Sequence, residues 1–196
     1  VAKFGVKITA NGTTFAKEYA TDDESVSGTI AKSVVSSDTS KLVAPGTKGN
    51  MVSMTLTGTP EVAVRVQYAA TLTLNDKWKD ADGKFYCPLQ FKIPTYSAED
   101  HGWVNMVVDG TKFNDAEALR REVESKIDAF SATYAAGTSL DSLTAEDHKV
   151  PSVSWEWPFH HDDDSDIKDT YLGDQAAAGK AAEIQLTVVT TVTQID

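Results

Sequence analysis

The chain of 196 residues contains one cysteine, Cys87, so no disulfide can form within it. Long hydrophobic runs are also missing, because threonine or charge interrupts every apolar stretch before the ~20 residues that a membrane span needs. Basic residues are few, 18 against 29 acids, and the net charge of -11 opposes binding to nucleic acid and to anionic membranes. We therefore expect a chain without membrane insertion that depends on a hydrophobic core, which a 41% hydrophobic content can supply.

The chain is rich instead in threonine, valine and alternating polarity, the pattern of half-buried β-strands. Turn sequences such as Asn11-Gly12 and Asp82-Gly83 separate the alternating segments. The predicted strands are residues 1–9, 26–35, 50–57, 61–74, 85–93, 103–108, 152–157 and 183–195. Their number and spacing predict a mainly β fold, a two-sheet jelly-roll-like sandwich that forms a single domain over residues 1–196.

One segment has helical rather than alternating periodicity. Its apolar residues at helical spacing are Ala116, Leu119, Val123, Ile127 and Phe130. Asn114 is the predicted N-cap, with Glu117 three residues later as in a capping box. We therefore predict one inserted amphipathic helix at about 114–130. The small and polar residues of 131–150 predict a surface loop.

The amino-terminal residues 1–9 have the clearest strand pattern, with Phe4, Val6 and Ile8 on one face. No initiator methionine or leader precedes them, which predicts the mature end of an exported protein. A strand at a free chain end either pairs within its own sheet or completes the sheet of a neighbour. Asn11-Gly12 suits a tight hairpin that folds residues 13–15 back, and this favours pairing within the chain.

Several short phrases occur in a fairly specific order along the chain. They are VAKFGV at 1–6, VAPGT at 43–47, PEVAV at 60–64, YCPL at 86–89, WEWPF at 155–159 and DTYLG at 169–173. Together they resemble the TasA/camelysin-like proteins, a family that bacteria export through a dedicated signal peptidase. The resemblance implies a secreted jelly-roll subunit of cell-surface or biofilm-matrix fibres, similar to pili.

The same resemblance implies a mode of assembly called donor-strand complementation. Residues 1–9 of one subunit would fill a groove in the next, with Phe4, Val6 and Ile8 as the inserted side chains. Other copies of the chain are then the predicted partners, in a head-to-tail filament. The apolar stripe of the last strand predicts one wall of the groove, formed by Ile184, Leu186, Val188 and Val192; residues 26–35 are a weaker candidate wall.

The most chemically loaded stretch is His160-His161-Asp162-Asp163-Asp164-Ser165-Asp166. Oxygen-rich loops bind Ca²⁺, and histidine with aspartate can bind Zn²⁺. Consecutive side chains point in alternating directions, however, and neither EF-hand nor His-Glu-x-x-His spacing is present. We therefore predict a solvated acidic turn and no metal or other cofactor. The weaker alternative is a metal site, for Ca²⁺ or Zn²⁺, formed by His160, His161, Asp162 and Asp164.

Catalytic motifs are missing as well: the chain has no G-x-S-x-G elbow and no glycine-rich phosphate loop. Cys87 precedes Pro88 in a predicted strand, where a buried thiol is expected rather than a nucleophile. We predict a protein that is not an enzyme. One alternative is a monomeric secreted adhesion or carbohydrate-binding sandwich, because Trp155 and Trp157 share a strand face and could stack on sugars, although core packing is more common. The other is a metal-dependent protease, an activity attributed to some camelysin relatives. Asn11 lies in a glycosylation sequon.

Overall fold

The computed structural model describes residues 6–10, 13–15, 25–30, 45–46, 48–52, 54–97, 99, 102–142, 151, 153–159 and 164–195. The strands are β1 (Val6–Ala10), β2 (Thr13–Phe15), β3 (Ser25–Ile30), β4 (Lys48–Val52), β5 (Met54–Gly58), β6 (Val64–Leu74), β7 (Gln90–Ser97), β8 (Gly102–Asp109), β9 (Ser131–Tyr134), β10 (Val153–Glu156) and β11 (Ile184–Gln194). The helices are α1 (Ala116–Asp128) and α2 (Ser165–Ala177), with 3₁₀ turns at Gly110–Lys112 and Leu140–Ser142. Each of the eight predicted strands overlaps an observed strand.

Two four-stranded antiparallel sheets form the body of the protein, in the orders β4-β10-β7-β8 and β3-β11-β6-β9. The pairing is nested along the chain: β3 pairs with β11, β4 with β10, β6 with β9 and β7 with β8. Folding such a nested set of strand pairs into two sheets gives the jelly roll. The predicted mainly β sandwich is therefore confirmed.

The core lies between these two sheets and is centred on the pairing of β6 with β11. These strands pair over their full length, from Ile184↔Leu74 to Gln194↔Val64. Their inward side chains alternate with exposed ones, as a strand with one face in the core requires. The buried members are Val64, Val66, Tyr68 and Leu72 on β6 and Ile184, Leu186, Val188, Thr190 and Val192 on β11.

Helix α1 confirms the predicted inserted helix and buries Leu119, Val123 and Ile127. Its N-cap is Asp115 rather than the predicted Asn114, because the Asp115 carboxylate accepts the Ala118 N–H at 2.7 Å. The helix packs against β6 beyond the four residues that β9 covers. At this junction the Ala70 N–H of β6 donates to Asp128 Oδ1 at 2.7 Å. The helix thus closes a sheet edge that a strand closes elsewhere.

Two elements correct the sequence-based predictions. Residues 131–134 form β9, so the prediction of a surface loop over 131–150 is wrong for this part; residues 143–150 lie outside the described residues. Residues 160–166 were predicted as a solvated acidic turn, yet α2 begins at Ser165 within this stretch. Its buried face is Ser165, Asp169, Leu172 and Ala176, a helical spacing hidden by polar residue types.

Helix α2 is held by a polar contact inside the apolar end of the sandwich. The Tyr86 hydroxyl donates to Asp169 Oδ1 at 2.5 Å, and Lys168 Nζ lies 5.5 Å from the centre of the Tyr86 ring. Asp169 is only 6% exposed, and a buried carboxylate is tolerated where it accepts hydrogen bonds. The tertiary contact, rather than an amphipathic sequence, therefore positions this helix.

Candidate functional site

The amino-terminal hairpin lies outside the eight strands of the jelly roll. Strand β1 pairs with β5 in five consecutive positions, from Val6↔Gly58 to Ala10↔Met54. Its other edge pairs with β2, from Ile8↔Phe15 to Ala10↔Thr13. Among the described residues β2 pairs with β1 alone. The β1–β2 hairpin therefore joins the rest of the protein through the ladder between β1 and β5.

Strand β5 provides the surface to which β1 binds. It follows β4 after a single residue, Ser53, and carries the chain towards β6. Leu56, in the middle of β5, is 1% exposed, and the 3₁₀ turn Leu140–Ser142 packs against this strand. One side of β5 is thus fixed to the core while its backbone edge accepts β1. Sequence reasoning predicted a strand at 50–57 but did not identify it as the partner of β1.

The predicted donor residues lie as follows. Phe4 is outside the described residues, and Val6 and Ile8 lie opposite Gly58 and Leu56 in β1. Within one chain, both edges of β1 are occupied by β2 and β5. The pairing of β1 with β2 is the hairpin that Asn11-Gly12 predicted. Pairing of both edges within one chain is the arrangement expected for a monomer. A strand exchanged between copies would make the same pairs with the β5 of a neighbour.

The predicted groove wall on β11 does not agree with the pairing in the structure. Strand β11 lies inside its sheet, with β3 on one edge and β6 on the other, so it offers no free edge to an incoming strand. Its four predicted groove residues, Ile184, Leu186, Val188 and Val192, are at most 2% exposed. Their apolar stripe serves the core. Of the weaker candidate at 26–35, residues 26–30 lie in β3, which pairs with β11 on one edge; residues 31–35 lie outside the described residues.

The tryptophans of β10 and its continuation belong to the core. Trp155 is 8% exposed and Trp157 is 2% exposed, so neither presents a ring face on which a sugar could stack. Gly49 lies opposite Trp155, and a Cβ atom at Gly49 would be 3.2 Å from the indole. Core packing of these rings, the more common arrangement, is confirmed.

The candidate metal ligands give no site that can be described. His160, His161 and Asp162 lie outside the described residues, while Asp164 is exposed at the start of α2. Within the part of the chain that the structure describes, no three histidine, cysteine or acidic side chains are grouped to hold a metal ion. Asp80 instead caps the turn that contains the predicted turn sequence Asp82-Gly83, since its Oδ1 accepts the N–H groups of Asp82 and Lys84, each at 3.0 Å.

Cys87 is fully buried beside the turn that follows β8. Burial raises the pKa of its thiol to about 12 from an ordinary 9.0; a backbone hydrogen bond at Leu89 opposes the rise and the charge of Asp109 adds to it. A thiol with so high a pKa stays protonated and is not a nucleophile at neutral pH. The predicted buried thiol is confirmed.

The raised pKa predicts a loss of stability in alkali. Between pH 9 and pH 12 the folded thiol keeps a proton that the unfolded thiol releases, so the free energy of unfolding falls as pH rises through this window. From pH 8 to 10.5 this contributes a loss of about 2 kcal/mol. We expect Cys87→Ala to show a shallower fall than the unsubstituted protein in urea titrations at both pH values. If both proteins lose the same free energy of unfolding between these two pH values, the raised pKa of Cys87 is wrong.

The site and fold together define an eight-stranded jelly roll to which an amino-terminal hairpin is added at the edge of a connecting strand. None of the helices in the described residues has the length and apolarity to cross a membrane. No family model, curated protein or solved structure matches the chain. The resemblance to the TasA/camelysin-like proteins therefore stays a prediction.

Proposed function

We propose that this protein is a non-enzymatic structural subunit of extracellular fibres, which polymerises by exchanging β1 between neighbouring copies. The observation that supports this function is the separation of β1 from the jelly roll. The eight sandwich strands pair with one another without β1, and β1 meets the remainder of the protein at β5. The strand can leave its own β5 without breaking either four-stranded sheet.

Exchange of β1 replaces each contact within one copy by the same contact between two copies. A ladder hydrogen bond contributes about 0.5–1.5 kcal/mol net, and each one lost when β1 leaves its own β5 is remade on the β5 of a neighbour. Exchange therefore costs little beyond the entropy of association, as in domain swapping. When each copy gives its strand to one neighbour and receives a strand from another, the contact is head-to-tail and continues as a filament unless it closes into a ring.

Strand β2 is followed by β3 after residues 16–24, which lie outside the described residues. Since β2 pairs with β1 alone in the described part of the chain, β2 leaves together with the donated strand β1. The net charge of -11 makes copies repel, and salt within the usual range of ionic strength screens this repulsion.

A disulfide between β1 and β5 tests the proposal directly. Thr9 and Thr55 are opposite in the register, a spacing that suits a disulfide. In the Thr9→Cys, Thr55→Cys variant, polymerised and then oxidised, we expect a ladder of covalent multimers on a non-reducing gel. The matched control joins Thr95→Cys to Val104→Cys across the β7–β8 hairpin and should give only monomers.

Buried Cys87 does not compete for either pair of cysteines. If the oxidised Thr9→Cys, Thr55→Cys protein runs only as an intramolecular monomer, β1 stays in its own chain and the proposed function is wrong. The alternative of a carbohydrate-binding protein depended on exposed rings of Trp155 and Trp157. Both rings are buried, so they cannot stack on a sugar.

A further inference from the structure

The outer face of the sheet β3-β11-β6-β9 is exposed on β6 and carries little charge there. Every second side chain of β6 points away from the core. These outward side chains are all exposed, and they are Arg65, Gln67, Ala69, Thr71 and Thr73. Arg65 alone among them is charged, although 24% of the residues in the chain are charged.

Strand β11 continues this surface beside β6. Its outward side chains are half-buried or exposed and uncharged, and they are Gln185, Thr187, Val189, Thr191 and Thr193. The register aligns the outward side chains of the two strands in rows, with Val189 opposite Ala69 in the middle row. Strand β9 adds the exposed Ser131 and Thr133 on the other edge of β6. We call these outward residues of β6, β11 and β9 the threonine face; none of them is acidic.

The two ends of the threonine face carry opposite charges. Arg65 lies at one end, in the row of Thr193. At the other end the exposed Glu183 immediately precedes β11, while the neighbouring Asp76 is paired with Lys77 at 3.5 Å. Neither Arg65 nor Glu183 forms an ion pair within the part of the chain that the structure describes. The 11 residues of β11 separate them by about 30 Å, so these two charges cannot meet within one copy.

A face of this kind suits contact between two copies of an acidic protein. Copies with a net charge of -11 repel each other, and the repulsion is smallest where the surfaces in contact carry no acid. Charged residues are depleted at the centres of protein interfaces. Small side chains allow two sheets to pack face to face, about 10 Å apart. The four strands, of which β6 and β11 have 11 residues each, cover on the order of 500 Å². Two copies would bury about 1,000 Å², which is the least that a specific interface needs.

We infer that two copies of this chain bind each other face to face through the threonine face. The twofold axis lies in the interface, across the strands and near Ala69, so the strands of the two copies run antiparallel. Arg65 of each copy then lies at the Thr73 end of the other, near its Glu183. These opposite charges fix the orientation. The contact is separate from strand exchange, because neither β1 nor β5 belongs to this sheet.

Cross-linking near the twofold axis tests the contact. Full-length Ala69→Cys protein is treated with a short bismaleimide, which can join the two copies of residue 69 across the axis; Cys87 is buried and does not react. The matched control is Val107→Cys, an exposed position on β8 in the other sheet. We expect Ala69→Cys to give covalent dimers about tenfold faster than the control, as for a contact of roughly one hot spot. Equal rates would overturn the inference, including the case in which the face binds a neutral glycan instead of a second copy.

A charge exchange tests the antiparallel orientation. Adding Arg65→Glu to the Ala69→Cys protein places like charges near each other at both ends of the contact, and the cross-linking rate should fall about fivefold. Adding Glu183→Arg as well should restore the rate. Because the two residues are far apart within one copy, this rescue can arise only between copies. Both positions are exposed, and a thermal melt checks that the variants are folded. A folded double variant that reacts as slowly as Arg65→Glu alone would overturn the antiparallel pairing, even if strand exchange is confirmed.

Discussion

Removal of residues 1–10 is expected to abolish fibre formation while the jelly roll stays folded. The deletion takes away β1, which none of the eight sandwich strands needs as a partner, and leaves β5 with an open edge. Loss of the ladder to β5 lowers the free energy of unfolding by about 2–4 kcal/mol. For a domain of this size, Tm should then fall by about 5–15 °C. Electron microscopy measures the fibres and circular dichroism the melting.

A peptide of residues 1–10 supplies the control for this deletion. It should bind the open β5 edge of the truncated protein and raise its Tm as the peptide concentration rises. At a peptide concentration one hundred times Kd, the free energy of unfolding should increase by about 2.7 kcal/mol. The peptide should not restore fibres, because it donates a strand without carrying a further acceptor. Fibres formed by the truncated protein alone would contradict strand exchange.

Gly110→Ala is expected to destabilise the protein strongly, because a methyl group at this position has no room. Gly110 is buried where β8 turns into a 3₁₀ turn, and its N–H donates to the Leu89 carbonyl at 2.8 Å. A Cβ atom there would overlap the Cys87 carbonyl oxygen and lie 2.9 Å from the Leu89 oxygen and 3.0 Å from Cys87 Sγ. Cys87 and Leu89 are fully buried just before β7, so their backbone atoms cannot move aside cheaply. We expect a loss of about 3 kcal/mol or more in urea unfolding.

Gly173→Ala is the matched control, because the same methyl group is added at a position with open space. Gly173 lies in α2, and a Cβ atom there would meet no other atom within 4 Å. Alanine is the better helix former, so stability should rise by about 0.5–1 kcal/mol. The two glycine substitutions should therefore have opposite signs. A Gly110→Ala protein as stable as the unsubstituted one would contradict the packing at the Cys87 turn.

The elements that sequence predicted well are those whose pattern repeats within one segment. The alternation in β6 and β11 and the helical spacing of Leu119, Val123 and Ile127 can each be read locally. Elements that depend on a distant partner were missed. Strand β9 has only four residues, and α2 buries Asp169, a residue whose contact with Tyr86 spans 83 positions of sequence.

For the candidate site, too, sequence predicted the local features but not the partner strand. Residues 1–9 could be recognised as a strand and Asn11-Gly12 as a hairpin turn from local chemistry alone. The partner of that strand could not, because an apolar stripe on β11 and one on β5 look alike until it is known which edges are already paired. The structure gives both edges of β11 to β3 and β6 and leaves β5 as the partner of β1.

By itself, the sequence determined the fold class, the acidic surface and the strand at the amino terminus, since periodicity, charge and turn residues act over a few neighbouring positions. The tertiary structure decided which strands pair and which tryptophans are buried. Those features arise from contacts between residues far apart in the chain, where the loss of conformational entropy on closing each loop is offset only by the packing of the whole domain.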